Sequence, residues 1–220
     1  WFMDTKGLIV EGRDRLNEHK ARYAHPHEQI EGFHEAVKAL KPTAIMGASG
    51  QPGSFSKEVL KSMARFNERP IVFALSNPTS KAECTAAEAY GYTDGRAVFA
   101  SGSPFAPVKH KSKTFIPGQG NNAYIFPGVG LGVVASQARH VTDEMFFTAA
   151  KTVASVVDED DLSHGRTYPP FDKIAEVSLE IATAVAKLAW ETGLAQAPRP
   201  KNIRAHIEAM RYDPTYHTYV

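Results

Sequence analysis

A chain of 220 residues, 43% of them hydrophobic, is long enough to bury one large core or two small ones and too apolar to remain disordered. Its formal charge of +1 gives no overall electrostatic case for nucleic acid or an anionic membrane as partner, so small-molecule chemistry fits better. The one cysteine, Cys84, excludes an internal disulfide and a cysteine-only zinc site, and no apolar run approaches the roughly 20 residues that span a bilayer.

Trp1-Phe-Met3 reads as the end of a strand cut in mid-element. With no initiator methionine and no basic-then-apolar opening, the chain is expected to be a fragment without its own N-terminus or any targeting signal. Compartment is therefore open: soluble, cytosolic or organellar. Asp4-Thr-Lys-Gly7 leads into a short apolar piece, Leu8-Ile-Val10, and then a charged stretch to His27. Ile30, Phe33, Ala36, Val37 and Leu40 recur at helical spacing, which predicts a helix ending near Lys41-Pro42. Thr43 to Met46 reads as a strand opening into Gly47-Ala-Ser-Gly-Gln-Pro-Gly53, a turn that only a glycine-rich sequence tolerates. Val59, Leu60, Met63 and Phe66 mark the next helix.

The run from Pro70 to Leu75 suits a strand covered on both faces, followed by the polar turn Ser76-Asn-Pro-Thr79. Ser80-x-x-Glu83 then predicts a capping box for a helix around Ala82 to Tyr90, and Arg96 to Ala100 a further strand. Strands alternating with helices imply right-handed crossovers and a parallel sheet. Three strand ends would then carry polar turns, Gly47 to Gly53, Ser76 to Thr79 and Ser101 to Pro104, lining one crevice. From Pro117 the style changes. Pro117-Gly-Gln-Gly-Asn-Asn122 is a polar loop, and the chain beyond it looks almost entirely helical. One helix starts at Thr142 and another follows Pro169-Pro170 to end at Gly193. Pro198-Arg-Pro200 then separates a final segment with a tyrosine-rich tail. The fold class is α/β: part of a Rossmann-like parallel-sheet domain followed by a mainly helical C-terminal region.

Several residues are candidates for chemistry, each with a plainer alternative. Asp4, close behind a strand end, can accept hydrogen bonds from an adenine ribose, while Lys6 and Lys20 can instead pair with a 2′-phosphate; an isolated turn acid can equally be solvated or a cap. The Gly47 to Gly53 turn, with Ala48 and Ser49, can let backbone approach a nucleotide, but without a lysine-serine pair it is not a phosphate loop. Asn77, beside Ser76 at a strand end, is a ligand candidate or a turn former before Pro78. Asn121 and Asn122 offer donor and acceptor together, which suits a carboxylate beside a hydroxyl, or they cap the next helix. His25, His27 and Glu28 lack a further well-placed ligand and read as solvated, Lys109 to Lys113 as an exposed hairpin or loop, and Cys84 as a buried or inert thiol.

Taken together, Asp4-Thr-Lys-Gly-Leu-Ile-Val10, Asn67-Glu-Arg-Pro70, Ala74-Leu-Ser-Asn-Pro-Thr79, Ala100-Ser-Gly-Ser-Pro-Phe105, Pro117 to Asn122, Tyr124-Ile-Phe-Pro-Gly128 and Tyr168-Pro-Pro170 resemble the malic enzymes, the decarboxylating malate dehydrogenases, in family order. One departure is Gln51-Pro52, in a turn where the family varies around glycine and alanine. The resemblance implies oxidative decarboxylation of L-malate to pyruvate and CO2 with reduction of a nicotinamide dinucleotide. It places Asn77 and Asn121 on malate, and Asp4, Thr5, Lys6, Lys20, Ala48, Ser49, Ser76, Asn77 and Asn122 near the cofactor. Thr5, Lys6 and Lys20 resemble the pattern of NADP-dependent members, with NAD possible. The resemblance also implies that the chain is a C-terminal portion. The catalytic tyrosine and lysine, the malate-binding arginine and the three carboxylates that hold Mg or Mn would precede Trp1, so no catalytic residue and no metal ligand is expected within the 220 residues. It divides the chain into the end of the dinucleotide domain (1–121), a helical segment returning to an earlier catalytic domain (122–193) and a tail (194–220), within a homotetramer when full-length. A non-catalytic dinucleotide-binding module of the same fold is the alternative, and an interaction domain docking through Tyr212 to Tyr219 a further one.

Overall fold

The structure, a computed structural model, describes residues 1–212; beyond Tyr212, the tyrosine-rich docking tail lies outside the described residues. The chain forms two compact units, Trp1–Gly120 with Ser163–Thr167, and Asn121–Leu162 with the residues from Tyr168 onward.

In the first unit, β1 (Met3–Asp4) and β2 (Gly7–Leu8) form a tight antiparallel pair, followed by the single-turn α1 (Glu18–Ala21). Helix α2 (Phe33–Leu40) ends where the periodicity predicted, at Lys41 in the left-handed conformation. Then come β3 (Ala44–Gly47), α3 (Lys57–Phe66), β4 (Ile71–Ala74), α4 (Ala86–Tyr92) and β5 (Val98–Ser101). A hairpin of β6 (Val108–His110) and β7 (Lys113–Phe115) confirms the reading of the basic run as an exposed hairpin. The sheet order is β3-β4-β5-β8, every pair parallel, with β8 (Gly118–Gln119) supplied by the segment expected to be only a polar loop. Two ladder residues suffice there because Ser101 continues the pairing, accepting from Gly120 N–H at 2.8 Å.

The core lies on one face of this sheet. Ile45, Val72, Ala74 and Phe99 alternate inward and meet Val37 of α2, Val59, Leu60 and Met63 of α3, and Ala86, Ala89 and Tyr90 of α4. Strand β4 was expected to be covered on both faces. Instead Val72 and Ala74 are fully buried while Ile71 and Phe73 are half-buried, and on β3 the side chain of Met46 is 68% exposed. The reason is topological: α2, α3 and α4 all join the one core, so the described residues cover the other face only in part. Arg96 closes the end of α3, donating to the carbonyls of Ala64, Asn67 and Glu68 at 2.7 to 2.8 Å, which explains a polar Asn67-Glu-Arg turn at that position.

The second unit is helical: α5 (Phe126–Ser136), α6 (Asp143–Ser155), the short α7 (Glu159–Ser163) that leads out of it, α8 (Ile174–Glu191) and α9 (Ile203–Ala209). Thr142 precedes α6 as predicted but makes no side-chain cap. Helix α5 escaped the periodicity because three glycines interrupt it. Gly128 and Gly132 are there for packing. A Cβ on Gly128 would fall 2.6 Å from Ile181 Cβ and 2.9 Å from Ser178 O, and one on Gly132 would fall 2.7 Å from Ala182 O, so α5 and α8 approach backbone to side chain. Tyr124 joins this core and donates its hydroxyl to Pro169 O at 2.6 Å, giving the Tyr168-Pro-Pro170 segment its anchor.

This packing separates two neighbouring glycines. Gly130 has no atom within 4 Å of an added Cβ, so Gly130→Ala should stabilise the protein by up to about 1 kcal/mol through helix propensity. Gly128→Ala should instead destabilise it by about 1–3 kcal/mol, because neither Ile181 Cβ nor a backbone oxygen can swing aside. Denaturant midpoints of the two variants check both signs.

Candidate functional site

Parallel pairing aligns the ends of β3, β4 and β5 through Gly47↔Ala74 and Ala74↔Ser101, so the three polar turns leave the sheet side by side. That is the carboxyl edge where open α/β sheets bind ligands. The turns are also bonded to one another. Gly50 N–H donates to Ser76 Oγ at 2.8 Å, linking the first to the second, and Ser103 Oγ donates to Asn77 Oδ1 at 2.5 Å, linking the third to the second. Asn77 follows the buried Ser76, is itself exposed and precedes a cis bond to Pro78. With Oδ1 accepting from Ser103, the side-chain amide N–H groups of Asn77 are what it has left to offer, as donors.

Glu83 sits beneath these turns, fully buried. The predicted Ser80-Glu83 capping box does not form. Thr85 and Glu88 make it instead, at the start of α4, with Thr85 N–H donating to Glu88 Oε2 at 2.8 Å and Glu88 N–H to Thr85 Oγ1 at 3.2 Å. Two S/T-x-x-E frames five residues apart compete, and tertiary contacts decide between them. Glu83 Oε1 accepts from Ser49 N–H at 3.1 Å, from Ser49 Oγ at 3.2 Å and from Ser76 Oγ, while Oε2 accepts from Ser76 N–H at 3.4 Å. Gln51 N–H donates to Ser49 Oγ at 3.3 Å, so three successive amides of the glycine-rich turn are turned onto protein acceptors. The turn is therefore no anion nest; Ala48 and Ser49 are exposed at its tip.

At the β1 end, Asp4 is the centre of a cation cluster. Arg13 Nη2 donates to both carboxylate oxygens at 2.8 and 2.7 Å, Lys20 Nζ to Oδ2 at 2.5 Å and Lys6 N–H to Oδ1 at 2.9 Å. Arg13 is held in turn by the carbonyls of Gly7 and Leu8. Partial burial pushes the Asp4 carboxyl up, but the bonds from Arg13, Lys20 and Lys6 together with the Arg13 charge hold it well below the usual carboxylate range. Thr5 and Lys6 are exposed in the turn beside it. Asn121 and Asn122 belong to the second unit, where Asn121 Oδ1 accepts from Ala123 N–H at 2.9 Å, the capping alternative. Cys84 is buried, and burial with the charges of Glu88 and Glu83 pushes its thiol up to about 12, which makes it inert. His25 and His27 pack against Trp1, one tilted and the other edge-on, and among the described residues no group of three or more His, Cys, Asp or Glu side chains is gathered to hold a metal ion.

The profile of the family described as "Malic enzyme, NAD binding domain" matches residues 1–190. The chain belongs to the malic enzyme family. It is 53% identical to the NADP-dependent malic enzyme of Dictyostelium discoideum over 98% of its own length and 40% of that protein's. To the mitochondrial NADP-dependent malic enzyme of Homo sapiens it is 50% identical over 100% of its length and 37% of the relative's. The chain thus spans about two fifths of the length of these curated relatives. The solved malic enzyme of Entamoeba histolytica matches in fold with a TM-score of 0.75 at 23% identity, over 94% of this chain and 40% of that one. That of Pyrococcus horikoshii Ot3 matches with a TM-score of 0.62 at 28% identity, over 80% and 36%.

Within this chain, the structure brings Ala48, Ser49, Ser76 and Asn77 to one sheet edge and gathers Asp4, Lys6 and Lys20 at another place in the same unit. Sequence reasoning missed Glu83 and Ser103. The signal for Glu83 was present as an acid preceding the true capping box, where no helical role remained for it.

The Asp4 cluster makes stability pH-dependent. A carboxyl depressed by folding contributes stability that is full above its unfolded value near 4 and is lost as pH falls toward the folded value. Asp4→Asn should therefore cost about 1–2 kcal/mol at pH 7. Its difference from wild type should shrink below about pH 4, as read by denaturant midpoints along a pH series.

Proposed function

We propose that these residues form the cofactor-facing side of an active site that oxidises and decarboxylates L-malate to pyruvate and CO2 using NADP. The observation that carries the reading is the bonded set of turns at the carboxyl ends of β3, β4 and β5, presenting Ala48, Ser49, Ser76 and Asn77 together. When bound, NADP would supply the hydride acceptor for malate C2; a base would take the hydroxyl proton, and after loss of CO2 an acid would protonate the enolate to pyruvate, both from polypeptide outside these 220 residues. The Asn77 amide, oriented by Ser103, donates to a substrate oxygen. In this reading, and on the family resemblance, Asn121 is the second amide assigned to malate, with Asn122 beside it.

Choice of NADP rests on the cation cluster. Four hydrogen bonds from three donor groups already occupy the Asp4 carboxylate, so it has little left to offer a ribose 2′-hydroxyl. Lys20, its side chain 42% exposed, and the exposed Lys6 leave the cluster with positive charge for a 2′-phosphate, next to Thr5. In this reading the acid, base, malate-binding arginine and the carboxylates for Mg or Mn come from polypeptide outside these 220 residues. Residues 122–193 return to that catalytic domain, 194–220 form a tail, and the complete enzyme is a homotetramer. The described residues gather no metal-binding group, so no metal-dependent step is assigned to them.

Lys20→Ala in the full-length enzyme should raise KM for NADP about tenfold, with KM for NAD changed less than about twofold; equal changes for both would remove the 2′-phosphate assignment. The 220-residue polypeptide by itself should form no NADPH from malate, because each missing proton-transfer or metal-binding group contributes orders of magnitude. Malate-dependent NADPH formation by that polypeptide would sink the assignment of catalysis to residues outside it.

A further inference from the structure

We propose that Glu83 is the positioning residue of the cofactor face, its carboxylate setting the shape of the two turns that meet the dinucleotide; the proposal rests on the function proposed above. Glu83 touches neither substrate nor cofactor. It acts through Ser49 and Ser76. Four donors converge on its two oxygens, and the Glu83 carbonyl accepts from Phe55 N–H at 3.1 Å, so side chain and backbone together tie the β3 turn to the β4 turn.

A carboxylate is a costly group to bury, and it is tolerated only when its acceptor sites are filled. Holding the strands together does not require it, since β3 and β4 already pair over four residues and Leu75 N–H donates to Gly47 O at 2.8 Å. What Glu83 adds lies beyond the strand ends. It orients the Ser49 amide directly and the Gly50 amide through Ser76 Oγ, so it decides which atoms of the turn face outward. Gly47 carries the imprint of this arrangement: a Cβ there would overlap the Glu83 carboxyl group, so the first residue of the turn is glycine because the carboxylate occupies that space. With its amides spent on Glu83, Ser76 and Ser49, the turn suits an uncharged part of the dinucleotide, a ribose or the nicotinamide, and not the pyrophosphate.

Glu83→Gln keeps shape and size, but an amide has one accepting oxygen where the carboxylate has two, so Nε2 meets either Ser76 N–H, which can only donate, or the Ser49 and Ser76 donors on the other side. In the full-length enzyme it should weaken NADPH binding, read by nucleotide fluorescence, about tenfold, because buried donors lose their acceptor. KM for NADP should rise in parallel, with KM for malate and kcat at saturating NADP changed less than about threefold. Gly47→Ala displaces the same carboxyl by a different route and should reproduce that selective loss, and the double variant should be little worse than Glu83→Gln alone. Glu88→Ala, which removes the exposed capping-box acceptor, should lower the melting midpoint without moving nucleotide affinity, separating a helix-stability effect from a positional one. Wild-type NADPH affinity in Glu83→Gln would overturn the proposal, as would equal losses for malate and NADP. If Glu83→Gln does not fold, Gly47→Ala decides alone by the same criteria. A wild-type enzyme that takes up no NADPH at all would instead overturn the functional reading, and this proposal with it.

Discussion

A buried carboxylate on which four donors converge is the constraint on which the turn region depends. Strands β3 and β4 would pair without Glu83, but the paths of the chain beyond Gly47 and Ala74 are set by what that acid must receive: two backbone amides and two hydroxyls. Ser49 and Ser76 are serines, Gly47 is glycine and the α4 cap shifts to Thr85 for one common reason. Because the acid cannot both lie under the turns and reach a helix N-terminus, the start of α4 is displaced to Ala86 and a separate acid, Glu88, serves it.

The rest of the first unit presents that cluster. One face of β3, β4 and β5 is buried against α2, α3 and α4, which fixes the register and hence the alignment of the three turns. The hydroxyl of Ser103 then sets the orientation of an exposed amide from the neighbouring strand end, Asn77. Position comes from the ladder, and orientation from side chains that sequence separation would not pair.

Legibility followed the same division. Helices α2, α3, α6 and α8, and strands β3 to β5, were readable because their apolar spacing repeats and their flanks carry glycine, proline or cap residues. Helix α5 was not, because three glycines interrupt its apolar pattern, and two of them, Gly128 and Gly132, answer to a partner helix about 50 residues away. Strand β8 was hidden because two residues are too few for a pattern. The candidate site was legible as motifs: Ser76-Asn-Pro at a strand end and Asp4-Thr-Lys behind another stood out. Glu83 did not, since the local rule that names an S/T-x-x-E frame cannot tell which of two neighbouring frames the tertiary structure will use. The expectation of two-sided burial for β4 failed because an apolar run reports what a strand prefers, not what the described residues supply.

Asp4 shows how geometry sharpens a motif. An acid behind a strand is, by spacing alone, a partner for two ribose hydroxyls. Here the same acid is bracketed by an arginine buried to 10% exposure and by a lysine that sits between it and solvent. One negative charge facing the side chains of Arg13 and Lys20 leaves an excess of positive charge, and Arg13, fixed by two backbone carbonyls as well as the carboxylate, is not free to leave. Of the two cations bonded to Asp4, Lys20 has the more exposed side chain, 42% against 10% for Arg13, so it is the one that an incoming anion can recruit while Asp4 keeps its arginine. A dianionic 2′-phosphate gains from that exchange, whereas a neutral hydroxyl would have to break a charge-assisted bond and return only an ordinary one. The acid that motif reasoning assigns to the ribose therefore serves, in this arrangement, to hold the cation that would read the phosphate.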